Sequence, residues 1–317
     1  MSGSIVDRIL AAVADGLPAN DRSILAVSGG IDSMVLMHAA LAVRHPSQLA
    51  VATFDHGSGP HSVKAVELVE RTAMSAGVSI VLGRGETAGR PSEAAWREAR
   101  LGFLRAVAGE LRATICTAHT RDDQVETVLF RELRGAGPRG LAGLAAPADT
   151  RRPLLAFARR DIADYARAAG VEWVDDPTND DRSYARNRLR HELIPAMRAV
   201  HPEIEADLAD LGERAARWRA DVDAIVDARI RFDADREMET LEVEHDSLRG
   251  LSHDVLGIIW PALLARIGVA ADWRGTRRLV AFTTGAASGQ RIQLSGGWTV
   301  YRRRGGFEVR REAAAER

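Results

Sequence analysis

Six consecutive residues, Ser28-Gly29-Gly30-Ile31-Asp32-Ser33, bring together the groups needed to hold a polyphosphate. Two glycines after an apolar run let the backbone approach a ligand closely, and the free N–H groups of a following helix start favour an anion. Ser28 and Ser33 add hydroxyl donors, and the Asp32 carboxylate could hold Mg²⁺ against phosphate oxygens. The segment suits the pyrophosphate end of ATP. It is not a Walker A loop, which requires Gly-Lys-Ser/Thr, because the chain's one lysine is Lys64. Ser-Gly-Gly is also a common turn and Asp-Ser a common helix cap. The whole hexapeptide, lying between a strand and the helical run Met34-Val35-Leu36-Met37, is more specific than either.

A second set of groups lies in His119-Thr120-Arg121-Asp122-Asp123-Gln124-Val125-Glu126. Asp123 and Glu126 are three apart, so on a helix they share a face and could jointly receive a cation, metal or ammonium. Thr120 and Asp123 also read as a capping box, where acids suit the first helical turn. Glu93, Arg97 and Arg100 recur at helical spacing, and Arg186, Asn187 and Arg190 form another such face after Asp176 and Asn179. Guanidiniums bind phosphate bidentately, so either face could serve ATP or an RNA backbone. Spacing alone equally allows solvated rows of ion pairs.

The elements that must position these groups alternate. Ser23–Val27, Leu49–Phe54, Val78–Gly83 and Ala113–Ala118 are short, apolar and β-branched, as strands covered on both faces should be. Helical stretches near 33–44, 61–76, 91–109 and 122–134 separate them. That order predicts an α/β fold with a doubly wound parallel sheet, whose ligands sit at the carboxyl ends of the strands. Each strand end runs into a polar segment: Ser28–Ser33, Asp55-His56-Gly57 and His119–Asp123. One shared site follows. Residues 134–147, rich in Gly, Pro and Ala, read as a mobile loop. A helix is expected near 159–169, another from Tyr184, and a long connecting helix over 201–230. Residues 231–317 read as a smaller α+β unit with helices near 252–267 and 272–282. Gln290–Leu294 and Trp298–Arg302 then form a hairpin around Ser295-Gly296-Gly297, and Gly306–Arg310 adds a strand. The expected domains are therefore 1–200, carrying catalysis, and 231–317, binding tRNA or a second copy in a homodimer.

Composition narrows the chemistry. A net charge of −1 excludes a globally basic nucleic-acid binder, so any RNA-binding face is a local arginine patch. Arg134 and Arg139, Arg182 to Arg190, and Arg302-Arg303-Arg304 are candidates. The one cysteine, Cys116, rules out disulfides and cysteine-clustered metal sites; in its apolar run it reads as a small buried hydrophobe. Apolar stretches are short and interrupted by charge or glycine, so no membrane span is expected. Met1–Leu17 reads as an amphipathic helix and not a secretory signal, which leaves a cytoplasmic address by default.

The hexapeptide resembles the SGGxDS signature of the PP-loop ATP pyrophosphatases, which break ATP between its α- and β-phosphates. Further stretches narrow the likeness: Asp55-His56-Gly57, Glu93–Arg100, Thr117–Thr127, Leu133-Arg134-Gly135-x-Gly137, Arg152-Pro153-Leu154-Leu155, Asp176-Pro177-Thr178-Asn179 and Arg186-Asn187-Arg188-x-Arg190. Together, over about residues 23–196, they are similar to the tRNA(Ile)-lysidine synthetases. The resemblance implies ATP-dependent adenylation of the wobble cytidine in the CAU anticodon of tRNA(Ile), then attack by free L-lysine. On it, Ser28–Ser33, His56 and His119 bind ATP, and Asp32 and Asp123 hold Mg²⁺. Asp123 and Glu126 form the lysine pocket, while Asp32, Asp123, Glu126, Arg97 and Arg100 carry catalysis. Arg134, Arg139, Arg186, Asn187 and Arg190 contact tRNA. Two departures, Ser58-Gly59 where the family has Leu-Arg and Leu101 where it tends to have Tyr, bear on local substrate contacts. The length suggests a short form with one C-terminal domain. Rival readings are a tRNA thiolase, which typically uses paired cysteines, an amide-forming synthetase needing an amidase partner, and a non-catalytic nucleotide binder.

Overall fold

The computed structural model describes residues 3–19, 21–55, 60–85, 93–175, 181–270 and 272–312. The chain divides into two units, Met1–Phe130 with Gly143–Gly212, and Arg131–Ala142 with Glu213–Arg317. Among the described residues no helix is long and apolar enough to cross a membrane.

In the first unit the chain runs α1 (Ile5–Gly16), β1 (Ser23–Ala26), α2 (Ile31–Val43), β2 (Leu49–Asp55), α3 (Pro60–Ser75) and β3 (Ser79–Arg84). It continues through α4 (Glu93–Leu111), β4 (Thr114–Thr117) and α5 (Arg121–Glu132). The short helix α6 (Pro138–Leu141) belongs to the second unit. In the first follow β5 (Thr150–Arg151), α7 (Arg159–Ala169), α8 (Ala185–Arg188), α9 (Ile194–Val200) and the start of α10 (Ile204–Arg229), whose residues from Glu213 on belong to the second. The five strands are parallel in the order β3-β2-β1-β4-β5. The expected doubly wound α/β sheet is therefore present. Leu25 on β1 lies in register with Val51 on β2 and Cys116 on β4, and all three side chains are buried.

Local sequence explains most of these elements. Ser4 caps α1 by accepting from the Asp7 N–H, while the Asp7 carboxylate accepts from the Ser4 N–H. Helix α2 is apolar around most of its circumference: Met34, Val35, Leu36, Met37, Ala39 and Ala40 are all buried, and His38 and Ala42 are exposed. Such a helix is stable only when most of its surface is covered, and α1 and α7 both pack against it. Gly170 ends α7 in the left-handed conformation that glycine adopts without strain.

Topology then places the site. Chain leaving β1 crosses to β2 on one side, whereas chain leaving β4 goes to β5 on the other. Neighbouring strands whose connections diverge open a crevice at their carboxyl ends. The Ser28–Ser33 loop follows β1 and the His119–Asp123 segment follows β4, so the two flank that crevice.

Several expectations need correction. Strand β5 was not anticipated, since two residues carry no periodicity. The stretch expected as a loop over 134–147 contains α6, with Pro138 at its start, and a 3₁₀ turn at Gly143–Ala145. Pro preset for a first helical turn explains the former. Between α8 and α9 the backbone widens into a π-helical turn, Leu189–Leu193. Pro195 follows and has no N–H to give the preceding turn.

The second unit holds β6 (Phe232–Asp235), β7 (Thr240–Glu244), α11 (His245–Leu248), α12 (His253–Leu264), α13 (Trp273–Gly285), β8 (Arg291–Gln293), β9 (Trp298–Arg302) and β10 (Gly306–Arg311). Its antiparallel sheet runs β6-β7-β10-β9-β8, which includes the expected hairpin β8–β9 and the added strand β10. Strands β6 and β7 were missed, because their outward positions are acidic and their apolar residues few. Asp235 accepts the N–H groups of Glu237 and Met238 to form the turn between them. The core centres on Trp260, packed edge-on to Phe307 at 5.6 Å, with its indole N–H donated to Thr283 Oγ1 at 2.8 Å. Arg139 belongs to this unit, where its guanidinium pairs with Asp223 at 3.0 Å.

Candidate active site

The phosphate loop is organised around one hydroxyl. Ser33 Oγ donates to the Gly30 carbonyl at 2.8 Å and accepts the Ser28 N–H at 3.1 Å, with the Ser28 hydroxyl 3.3 Å away. Ser33 is buried and shapes the loop, whereas Ser28 is exposed at its mouth. Gly29 has φ +85°, and a Cβ there would lie 2.7 Å from the Ala65 Cβ. Both backbone angle and space therefore demand glycine. Gly30 caps α2 without a side chain, leaving the first-turn N–H groups of that helix facing the crevice mouth.

Across the crevice, the first turn of α5 presents its acids in an ion-pair network. Asp123 Oδ2 accepts the Thr120 N–H at 2.8 Å and the Thr120 hydroxyl at 3.0 Å, so the capping interaction exists. Its Oδ1 accepts Arg159 Nη2 at 2.6 Å. Glu126 accepts Arg159 Nη1 at 2.9 Å and, from the other side, Arg190 Nε at 2.7 Å and Nη2 at 3.1 Å. Asp123 and Glu126 thus share a face, as their spacing requires, with two guanidiniums against them. Arg190 reaches Glu126 from the π-helical turn, a feature frequent at functional sites. Arg159 was not singled out from the sequence; it lies in an ordinary amphipathic helix start, Ala158-Arg159-Arg160-Asp161.

Asp32 stands opposite this network. Burial is the main cause that raises its carboxyl to about 6, reinforced by the charge of Asp123 and opposed by Arg159 and Arg190. Its Oδ1 is buried without a hydrogen-bond partner. Burial likewise lowers His119 to about 4 despite the nearby Asp123 carboxylate, with Arg152, Arg100 and Arg97 adding positive charge. His119 Nδ1 lies 2.9 Å from Thr117 Oγ1. By contrast the Asp123 carboxyl is held below the usual range: burial opposes ionisation, but Arg159 and the Thr120 bonds outweigh it.

Arginines also converge near His119. Arg100 is held below its usual pKa by burial and by the like charges of Arg97 and Arg186. Guanidiniums forced together in this way are stabilised by an anion. The charges of Arg97 and Arg186, expected on two separate helical faces, are thus both felt at Arg100 in the first unit.

Other candidates stand apart. Asn187 donates to the Asp181 carbonyl at 2.8 Å, and Arg134 is exposed. His56, Asp176, Asn179 and the side chain of Glu93 lie outside the described residues. Gln124, unassigned from the sequence, accepts the Leu144 N–H at 2.6 Å and fastens the end of the 134–147 segment to α5. Buried Cys116, its thiol pushed up to about 11 chiefly by burial, is an inert core residue, as its apolar surroundings implied.

A family model described as a PP-loop domain matches residues 2–197. The chain is 37% identical over 313 residues to the tRNA(Ile)-lysidine synthase of Salinispora tropica, covering 91% of this chain and 90% of that protein. The enzyme of the same name from Salinispora arenicola is 36% identical, with 96% and 94% covered. The chain belongs to the tRNA(Ile)-lysidine synthase family. A member from Coxiella burnetii is 34% identical over 71% of this chain, which spans about half (52%) of that longer protein. Among solved structures, a U34-tRNA thiolase, NcsA from Methanococcus maripaludis with its [4Fe-4S] cluster, is similar with a TM-score of 0.55. At 13% identity over 67% of this chain and 79% of that one, it shares the fold alone. Within the family, sequence agreement spans both units, so the second unit belongs to the shared architecture as well.

Proposed function

We propose that the protein adenylates the wobble cytidine of an isoleucine tRNA with anticodon CAU and that free L-lysine then displaces AMP from the activated base, giving lysidine. The observation that supports this most is the pairing, at the carboxyl ends of adjacent strands, of a phosphate-shaped loop after β1 with an acid pair after β4. In the first step the cytidine C2 oxygen attacks the α-phosphorus of ATP, and the bond to the β-phosphate breaks to release pyrophosphate. In the second the lysine ε-amine attacks C2 and AMP departs.

Each cluster has a task in this reading. Residues Ser28 to Ser33 cradle the phosphates, with His119 and, by resemblance, His56 near the nucleotide. Asp32, with its unpartnered oxygen, and Asp123 would hold Mg²⁺, which would supply charge neutralisation for departing pyrophosphate. Among the described residues no group of three or more His, Cys, Asp or Glu could hold a metal. A magnesium ion bound mainly by phosphate oxygens and water needs only one or two carboxylates, so the residues fit. Arg97 and Arg100 hold the adenylated cytidine or its phosphates. Lysine arrives as an ammonium with a pKa of about 10.4 and must lose a proton to attack. Asp123 and Glu126 receive it, and a carboxylate there takes the proton.

Arg134, Arg139, Arg186, Asn187 and Arg190 are the proposed tRNA contacts, and residues 231–317 bind tRNA or a second copy of the chain. The substrates assign the work to the cytoplasm. The reading is tested by incubating the protein with ATP, labelled lysine and unmodified tRNA(Ile). Label should enter the tRNA only with ATP, with AMP and pyrophosphate formed, and a methionine tRNA of the same anticodon should stay unlabelled. ATP binding without label would point to a different acceptor.

A further inference from the structure

One residue makes most of the junction between α5 and α7. Arg159, first in α7, gives its backbone N–H to Asp122 Oδ2 at 2.9 Å, Nη2 to Asp123 at 2.6 Å and Nη1 to Glu126 at 2.9 Å. The junction is reciprocal, since the Arg121 N–H donates to the Phe157 carbonyl at 2.8 Å. Three acids on one helical turn are tied to a single side chain and its amide. The guanidinium is only 28% exposed and Glu126 only 6%, so this is not a solvated surface pair.

We propose that Arg159 is a positioning residue for the lysine-dependent step. Carboxylates three apart on a helix repel each other, and left alone they turn apart or share a proton. A planar guanidinium bonded to both offsets their repulsion and aims them the same way. An ammonium is a compact charge with three donors, and it is bound well only by carboxylates already fixed in place. Arg190 cannot replace Arg159, because its hydrogen bonds reach Glu126 alone and its Nη2 stops 3.9 Å from Asp123. The inference rests on reading Asp123 and Glu126 as the lysine pocket.

The test uses the full chain with Arg159→Ala and Arg159→Lys and measures the two steps separately. Pyrophosphate release with tRNA and ATP, without lysine, reports the first; lysine incorporation reports the second. Arg159→Ala should raise the lysine KM by about tenfold or more, with a clearly smaller loss in pyrophosphate release, which Asp123 also serves as a proposed Mg²⁺ ligand. Arg159→Lys, which keeps the charge but lacks the planar fork that bonds the two carboxylates side by side, should recover part of the KM, and it carries the comparison if Arg159→Ala does not fold. An unchanged lysine KM overturns the proposal, and so does a lowered one, which would make Arg159 a competitor of lysine. Equal loss of both steps in a folded variant also overturns it. Asp123→Asn and Glu126→Gln run alongside separate the two ideas. If they move the lysine KM and Arg159→Ala does not, the Arg159 assignment alone fails; if neither moves it, the pocket lies elsewhere and both fail.

Discussion

The guanidinium of Arg190 grips the carboxylate of Glu126 through two hydrogen bonds, Nε to Oε1 at 2.7 Å and Nη2 to Oε2 at 3.1 Å. The two residues are 64 apart in sequence, and the bond joins the first turns of α5 to the π-helical turn before α9. A buried bidentate pair of this kind is costly to break from one side, because the partner is left charged and unpaired. A double-mutant cycle with Arg190→Ala and Glu126→Gln should give a coupling of about 2 kcal/mol. Amide exchange in α5 and α9 is the measurement, since a two-unit chain need not unfold in one step. Additive single effects would show that the pair is not energetically coupled.

Gly29→Ala should impair nucleotide binding before it impairs folding. The left-handed backbone costs an alanine about 1 kcal/mol, and its methyl would collide with Ala65, shifting the loop away from α3. An ATP KM raised by about tenfold or more with a melting temperature within a few degrees of the parent is the expected pattern. Wild-type ATP affinity in this variant would mean that the loop conformation is not the one that holds phosphate.

Asp32 should make the unliganded protein less stable at neutral pH. Its folded pKa of about 6 lies above the ordinary 3.8, so the folded state binds more protons between those values and stability falls as pH rises through them. The penalty at pH 7 is on the order of 3 kcal/mol. Asp32→Asn should therefore be more stable than the parent above about pH 6, with the gain fading below about pH 4, while ATP turnover is lost. Amide exchange of β1 and α2 without nucleotide or metal reads the difference. His119 has the opposite sign: its folded pKa of about 4 lies below the ordinary 6.5, so its contribution is lost as pH falls between them. Imidazole nitrogen shifts should show it neutral at pH 6, and titration near 6.5 would contradict the buried position.

Binding of tRNA should depend steeply on salt although the chain's net charge is −1. A local patch that neutralises several phosphates loses about a hundredfold or more in affinity between 50 and 200 mM salt. Arg186→Ala should lower the slope by about one unit, read from log Kd against log salt. A flat slope in the parent would remove the arginine patch from the argument.

Much of the site was legible because it is local. Gly29 and Gly30 follow an apolar strand, and Asp123 and Glu126 sit at helical spacing after another, so each cluster announces its own chemistry. The alternation of strands and helices was enough to place both at carboxyl ends of one parallel sheet. Strands β6 and β7 escaped notice although both alternate, because Phe232–Asp235 and Thr240–Glu244 each carry only two apolar residues, too few to stand out from a polar turn. The pairing of Arg190 with Glu126 was not legible, because a basic helical face gives no sign of which carboxylate, if any, it meets. Arg159 escaped altogether for the same reason.

The sequence by itself determined the Ser28–Ser33 loop and the Asp123–Glu126 spacing, which depend on residues within about one turn of each other, and the α/β alternation and the family, which are read from order and motifs along residues 23–196. Only the tertiary structure decided that Arg159 and Arg190 close on Asp123 and Glu126, that the charges of Arg97 and Arg186 are both felt at Arg100, and that Asp32 is left with a buried, unpartnered oxygen. Those facts depend on which distant segments share a low-dielectric crevice. Charges interact through space and burial, and neither distance in space nor exclusion of water is written in distance along the chain.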